Sequence, residues 1–181
     1  MTVKDMVYAA LFAALTAALG LLPMVAVPGL PVPIHAQSLG VMLAGGVLGA
    51  KRGGLAMVVF MALVAAGLPL LSGGRGGIGI FLGPTGGFAL GYIPGAFVTG
   101  WFVERFWPRL NFVAAMVACA IGGIGMVYLL GIPWLAVAAK ISFAKAAAGS
   151  LAFVPGDLVK AGLAALVAVS MKKSYPMIGR R

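Results

Sequence analysis

The chain has 181 residues, 62% of them hydrophobic and 9% charged, and its mean hydropathy is +1.12. That composition excludes a soluble globular domain, in which about a quarter of the residues are charged, and predicts one membrane domain spanning residues 1–181. Thirteen Lys and Arg against three Asp and Glu give a net charge of +10, but these residues stand at the ends of apolar segments. A nucleic-acid binder needs them gathered on one solvated face and is excluded; topology control by positive residues fits.

Six apolar segments, residues 5–22, 34–50, 55–71, 88–103, 112–131 and 150–171, each approach the ~20 residues that cross a bilayer. The predicted fold is therefore all-α, an integral membrane bundle of six transmembrane helices. The first segment, with Lys4 ahead of it, imitates a signal peptide, but Asp5 interrupts the pattern and the run is long enough to span. It carries alanine at positions 10, 14 and 18 and again at 9, 13 and 17. Two such stripes let helix backbones approach closely in a membrane, either inside the bundle or against a partner.

After the connection 23–33, the run PVPIHAQSLG places His35, Gln37 and Ser38 at the mouth of the second helix. Gln37 is a candidate to face a cavity. A single histidine without a partner at ligand spacing gives no basis for a metal site. The next connection, 51–54, is short and basic.

Within residues 72–92, SGGRGGIGIFLGPTGGFALGY, the connection 72–87 joins the third and fourth helices. Each of Gly73, Gly74, Gly76, Gly77 and Gly79 weakens a helix by up to about 1 kcal/mol, and Pro84 ends one. This stretch is predicted to be a compact glycine-rich loop. Irregular backbone near hydrocarbon is tolerated only where protein or an aqueous cavity surrounds it, so the loop reads as the wall or lid of a binding site. Arg75 offers a fork of donors suited to a carboxylate. Thr85 adds a hydroxyl, and Gly83, Gly86 and Tyr92 complete the candidate wall.

The connection 104–111 is again short and basic. Residues 132–149 have enough helical character for an interfacial or lid helix, with Trp134 at headgroup depth and the stems of Lys140 and Lys145 snorkelling. Cys119 stands alone in an apolar run and reads as a packing residue. In the sixth segment Asp157 and Lys160 lie three residues apart and share a helix face. Ionisable groups inside a span are costly and are functional candidates by default. A purely structural pair is the alternative, although apolar residues could replace such a pair at little loss. Pro155 and Gly156 predict a break just before it.

With the N-terminus inside, Lys4, Lys51, Arg52, Arg105, Arg109, Lys172, Lys173, Arg180 and Arg181 face the cytoplasm, and Arg75, Lys140 and Lys145 face out. Nine against three predicts that both termini are cytoplasmic. The chain has no GxxxxGK[ST], HExxH or GxSxG, and no second carboxylate near Asp157, so neither an enzyme nor a metal or cofactor site is expected.

PVPIHAQSLGVMLAGGVLG, then GGRGG and GPTGG around a short apolar run, then PGDLVKAGLAALVA, together resemble the BioY family, the biotin-specific S components of energy-coupling factor (ECF) vitamin transporters. The resemblance covers nearly the whole chain. It implies a six-helix bundle in the cell membrane with a vitamin pocket near the outer face. It also implies a module of two ATP-binding subunits and a transmembrane coupling protein, docked on the stripe of Ala10, Ala14 and Ala18. The implied ligand is biotin, with no cofactor. Asp157 would accept from ureido nitrogens, Lys160 donate to the ureido oxygen and Arg75 bind the carboxylate, or the ligand would lie end to end the other way with Lys160 at the carboxylate. His35 and Ser38 depart from the threonine that the family leads one to expect there. The competing expectation is a self-sufficient oligomeric carrier or channel for a small organic anion.

Overall fold

Every helix-length element among the described residues is helical, as continuous apolar stretches in hydrocarbon require, since a helix satisfies its own backbone polar groups. The computed structural model describes residues 2–24 and 35–178. Residues 25–34, most of the first connection, and Arg180 and Arg181 of the basic set lie outside the described residues. Six helices follow in order: α1 Val3–Leu19, α2 Gln37–Leu48, α3 Ala50–Ala65, α4 Gly86–Arg105, α5 Phe112–Ala138 and α6 Phe143–Ser174. Helix α5 is interrupted by π turns over Ile121–Met126, and α6 by a 3-10 turn over Leu151–Phe153. Helices α4, α5 and α6 are each long and apolar enough to cross a bilayer.

Three expected boundaries are corrected. Residues 51–54 are not a loop but lie in the first turns of α3, because Gly49, at φ 85°, makes the whole reversal between α2 and α3. Such a backbone favours glycine. Glu104 Oε1 accepts from Ala50 N at 2.9 Å and satisfies one of the free amides at the start of α3. The fifth helix runs through Pro133 to Ala138, so Trp134 belongs to α5. Only Phe143–Ser150 of the connection 132–149 forms a separate helical segment, leading into α6. The break in the sixth helix precedes Pro155, which sits in the first turn of the helical segment Val154–Ser174, where its missing N–H costs nothing.

Helix α2 is the centre of the bundle: apart from Leu39, each of its residues is buried. A helix apolar on all sides belongs there. At 12 residues it is about 18 Å long, shorter than the ~30 Å hydrocarbon core, and its first turn opens inside the bundle. Close crossings rest on small residues, as membrane helix contacts do. A Cβ on Gly40 would strike Thr16 of α1, and one on Gly122 would strike Thr99 and the Gly95 carbonyl of α4. The large apolar side chains Leu11, Val117, Leu129, Val159 and Leu166 point outward. On α1 the two alanine stripes separate, with Ala9 and Ala13 buried against the bundle and Ala10, Ala14 and Ala18 exposed.

The end of the bundle holding both described termini is tied by one arginine. Asp5 closes a capping box with Thr2 at the start of α1 and pairs with Arg52 at 2.6 Å, while Arg52 Nη1 donates to the Met177 carbonyl at 2.7 Å.

Candidate binding site

At the opposite end, the first turn of α2, the turn inside α6, the π segment of α5 and the glycine-rich loop enclose a cavity of about 650 Å³, part of it open to solvent. One wall is apolar: Phe88 and Tyr128 meet edge to face at 5.9 Å, with Val127, Phe153 and Leu71 beside them.

The polar wall is centred on Asp157. Its Oδ1 accepts from Lys160 Nζ at 2.8 Å and from Ser38 Oγ at 3.0 Å, and its Oδ2 accepts from the Tyr128 hydroxyl at 2.6 Å. Lys160 also donates to Ser38 Oγ at 3.0 Å and to the His35 carbonyl at 2.6 Å. Ser38 therefore accepts from the ammonium and donates to the carboxylate, closing a three-membered ring. It sits in the first turn of α2, where the helix dipole favours a negative group. All three ammonium donors are used, and Asp157 Oδ2 retains one acceptor position.

Arg75 stands on the loop. The chain reverses between Leu71 and Arg75, whose backbones exchange hydrogen bonds of 2.9 and 3.2 Å, through Gly73 and Gly74 at φ 80° and 68°. Arg75 Nε donates to the Ser72 carbonyl at 3.1 Å. The guanidinium has no carboxylate partner among the described residues. The loop is anchored by Gly77 N, which donates to the Val64 carbonyl of α3 at 2.7 Å.

Of the residues selected from sequence, Arg75, Asp157, Lys160, Thr85, Gln37 and Tyr92 line this cavity, and Gly83 and Gly86 do not. The Gly83 carbonyl instead accepts from Trp134 Nε1 at 3.0 Å, and Gly86 packs against the Phe81 backbone. Gln37 lines the cavity with its polar atoms already used. Its amide donates to the Thr16 and Leu70 carbonyls at 3.1 and 2.9 Å, and its oxygen accepts from Ser72 N and Oγ at 2.9 and 3.1 Å. It braces α1, α2 and the loop together. Sequence reasoning missed Tyr128, Phe88 and Phe153; a tyrosine within an otherwise apolar run was the available signal for the first.

His35, two residues ahead of α2 and outside its span, also lines the cavity. Burial, then the positive charges of Lys160 and Arg75, bring its imidazole down to about 4 against a smaller opposing pull from Asp157. The ring is neutral at physiological pH. Its Nδ1 is buried without a hydrogen-bond partner among the described residues.

A helical membrane bundle with a partly open cavity, apolar on one wall and polar on the other, and in it a cation with no acidic partner among the described residues, is a membrane protein built to hold a small molecule. Residues 1–177 match the BioY family, and the chain belongs to that family. It is 50% identical to a protein of Rhizobium etli named biotin transporter BioY, over the full length of both chains. A protein of Rhodobacter capsulatus with the same name is 51% identical over 92% of each chain. The fold matches a crystal structure described as the S component for biotin from an ECF-type ABC transporter, with TM-score 0.92 and 33% identity over 98% of this chain and 97% of that one.

Asp157→Asn leaves Lys160 buried without a counter-charge, and breaking a buried pair costs about 3–5 kcal/mol. Thermal unfolding in detergent should show a large loss for Asp157→Asn, and most of it should return in the double variant Asp157→Leu, Lys160→Met. Equal stability of Asp157→Asn and the parent chain would contradict the pairing.

Proposed function

We propose that this chain captures biotin at the outer side of the cell membrane, for uptake driven by a separate ATP-hydrolysing module. The carrying observation is the division of charge across one cavity. Lys160 is neutralised by Asp157 at 2.8 Å, whereas Arg75 has no acidic partner among the described residues. Among the described residues the cavity therefore presents one unpaired positive charge and a carboxylate with a free acceptor position. Biotin has matching ends: a ureido ring with two N–H donors and one carbonyl, and a valerate tail ending in a carboxylate. The ring lies against Phe88 and Tyr128 with a ureido N–H on Asp157, and the tail carboxylate meets Arg75. The reverse orientation would direct the carboxylate to an ammonium that already has its counter-ion and no spare donor. The names of the relatives support the ligand, and the membrane-spanning fold supports the location.

The module consists of a transmembrane coupling protein and two ATP-binding subunits, and docks on the exposed stripe of Ala10, Ala14 and Ala18. A bulky side chain there blocks close helix approach without reaching the cavity. Both termini lie in the cytoplasm, the side that carries the basic residues of the short connections.

Three measurements test this reading. Arg75→Lys keeps the charge and loses the bidentate fork, so biotin should bind more weakly in isothermal titration. The same substitution should cost little for biotin amide, because each change removes the same contact; strict additivity would move the carboxylate away from Arg75. Ala14→Phe should bind biotin normally and fail to co-purify with the coupling module, and equal loss of both would return the stripe to the internal bundle. A cysteine added at the C-terminus should resist impermeant labelling in intact cells, and outside labelling would reverse the topology.

A further inference from the structure

Two buried side-chain polar atoms among the described residues have no hydrogen-bond partner, Thr99 Oγ1 and His35 Nδ1. Thr99 lies in the tight crossing of α4 and α5, away from the cavity. His35 lines it. A buried nitrogen left unpaired is costly and is a place where a ligand group gains a full hydrogen bond at no expense to the protein's own network.

We propose that His35 is a specificity-determining residue that reads the ureido ring, its Nδ1 accepting from one ring N–H while Asp157 Oδ2 accepts from the other. The assignment rests on the biotin reading above. It follows from counting acceptors at the polar wall. Asp157 Oδ1 already takes two donors, Lys160 and Ser38, and Oδ2 takes one, Tyr128. A carboxylate oxygen offers two lone-pair positions, so Asp157 has one left for a ring that brings two N–H groups. The second needs an acceptor at the same end of the cavity. His35 is held at that end by its own carbonyl, which accepts from Lys160 at 2.6 Å. A neutral imidazole protonated on Nε2 presents a lone pair at Nδ1. The lysine that pairs with Asp157 thus also fixes the backbone of the second acceptor, and the spacing of the two acceptors is set by one ammonium group.

The test uses the full chain in detergent, isothermal titration and four ligands: biotin, its two derivatives methylated on a single ureido nitrogen, and biotin amide. His35→Phe keeps a planar ring without the nitrogen, with His35→Leu as the alternative should the first unfold. His35→Asn returns an amide oxygen near the position of Nδ1. Loss of a hydrogen bond to a buried group corresponds to about tenfold or more in affinity. His35→Phe should weaken biotin and biotin amide by that factor, His35→Asn should recover most of it, and for one of the two methylated ligands the substitution should cause no further loss. Unchanged affinity for biotin in both apolar variants, or an undiminished loss with both methylated ligands, overturns the assignment while leaving biotin as the ligand. A parent chain that does not bind biotin overturns the ligand reading, and the assignment with it.

Discussion

The buried pair of Asp157 and Lys160 is the constraint on which the cavity end of the bundle depends. Taking a carboxylate and an ammonium out of water is expensive unless attraction and further hydrogen bonds offset it. Here the offset comes from three elements at once. Helix α6 supplies both charges, α2 supplies Ser38 between them, and α5 supplies the Tyr128 hydroxyl. The turn of α6 at Leu151–Phe153 and the short, enclosed start of α2 both lie at this point. Helices running straight through would place apolar side chains there and leave no room for a polar wall.

The glycine-rich loop meets a different requirement. Its exposed backbone groups would be intolerable beside hydrocarbon, so they are tied down. Gln37 holds Ser72, the Val64 carbonyl holds Gly77, and Trp134 holds Gly83. With the backbone so fixed, Arg75 keeps its guanidinium at the cavity and, among the described residues, spends only its Nε–H on the protein. A loop so anchored, whose arginine has no acidic partner among the described residues, favours an anion before any shape is considered.

Much of this was legible from residue types. Apolar run length marked six helices, and the i, i+3 spacing of Asp157 and Lys160 marked a shared face. The loop was evident because clustered glycines and Pro84 cannot propagate a helix. Other features left no trace in local composition. Hydropathy places a loop at the basic residues 51–54, but one glycine with positive φ suffices for the reversal and lets Lys51 and Arg52 join α3. Arg52 then reaches Asp5, a contact between residues far apart in sequence. The role of Gln37 was also hidden, because the same amide that suits a ligand suits the carbonyls of α1 and the loop, and only the fold decides which it meets. Tyr128 stands out in its apolar run, but its partner Asp157 is evident only once α5 and α6 are side by side.

The π turns of α5 give that helix a property the others lack. On one side of them Gly122 fits against Thr99 and Gly95 of α4; on the other Tyr128 reaches Asp157 of α6. Each i→i+5 turn holds one residue more than a turn of α-helix, and one residue corresponds to about 100° of rotation. The wider turn takes up that residue within the helix, with packed neighbours on both sides of it. Loops elsewhere in the chain can absorb changes of length at the surface, whereas Ile121–Met126 has to do so between two packed contacts. In this segment of the chain the number of residues matters as much as their identity.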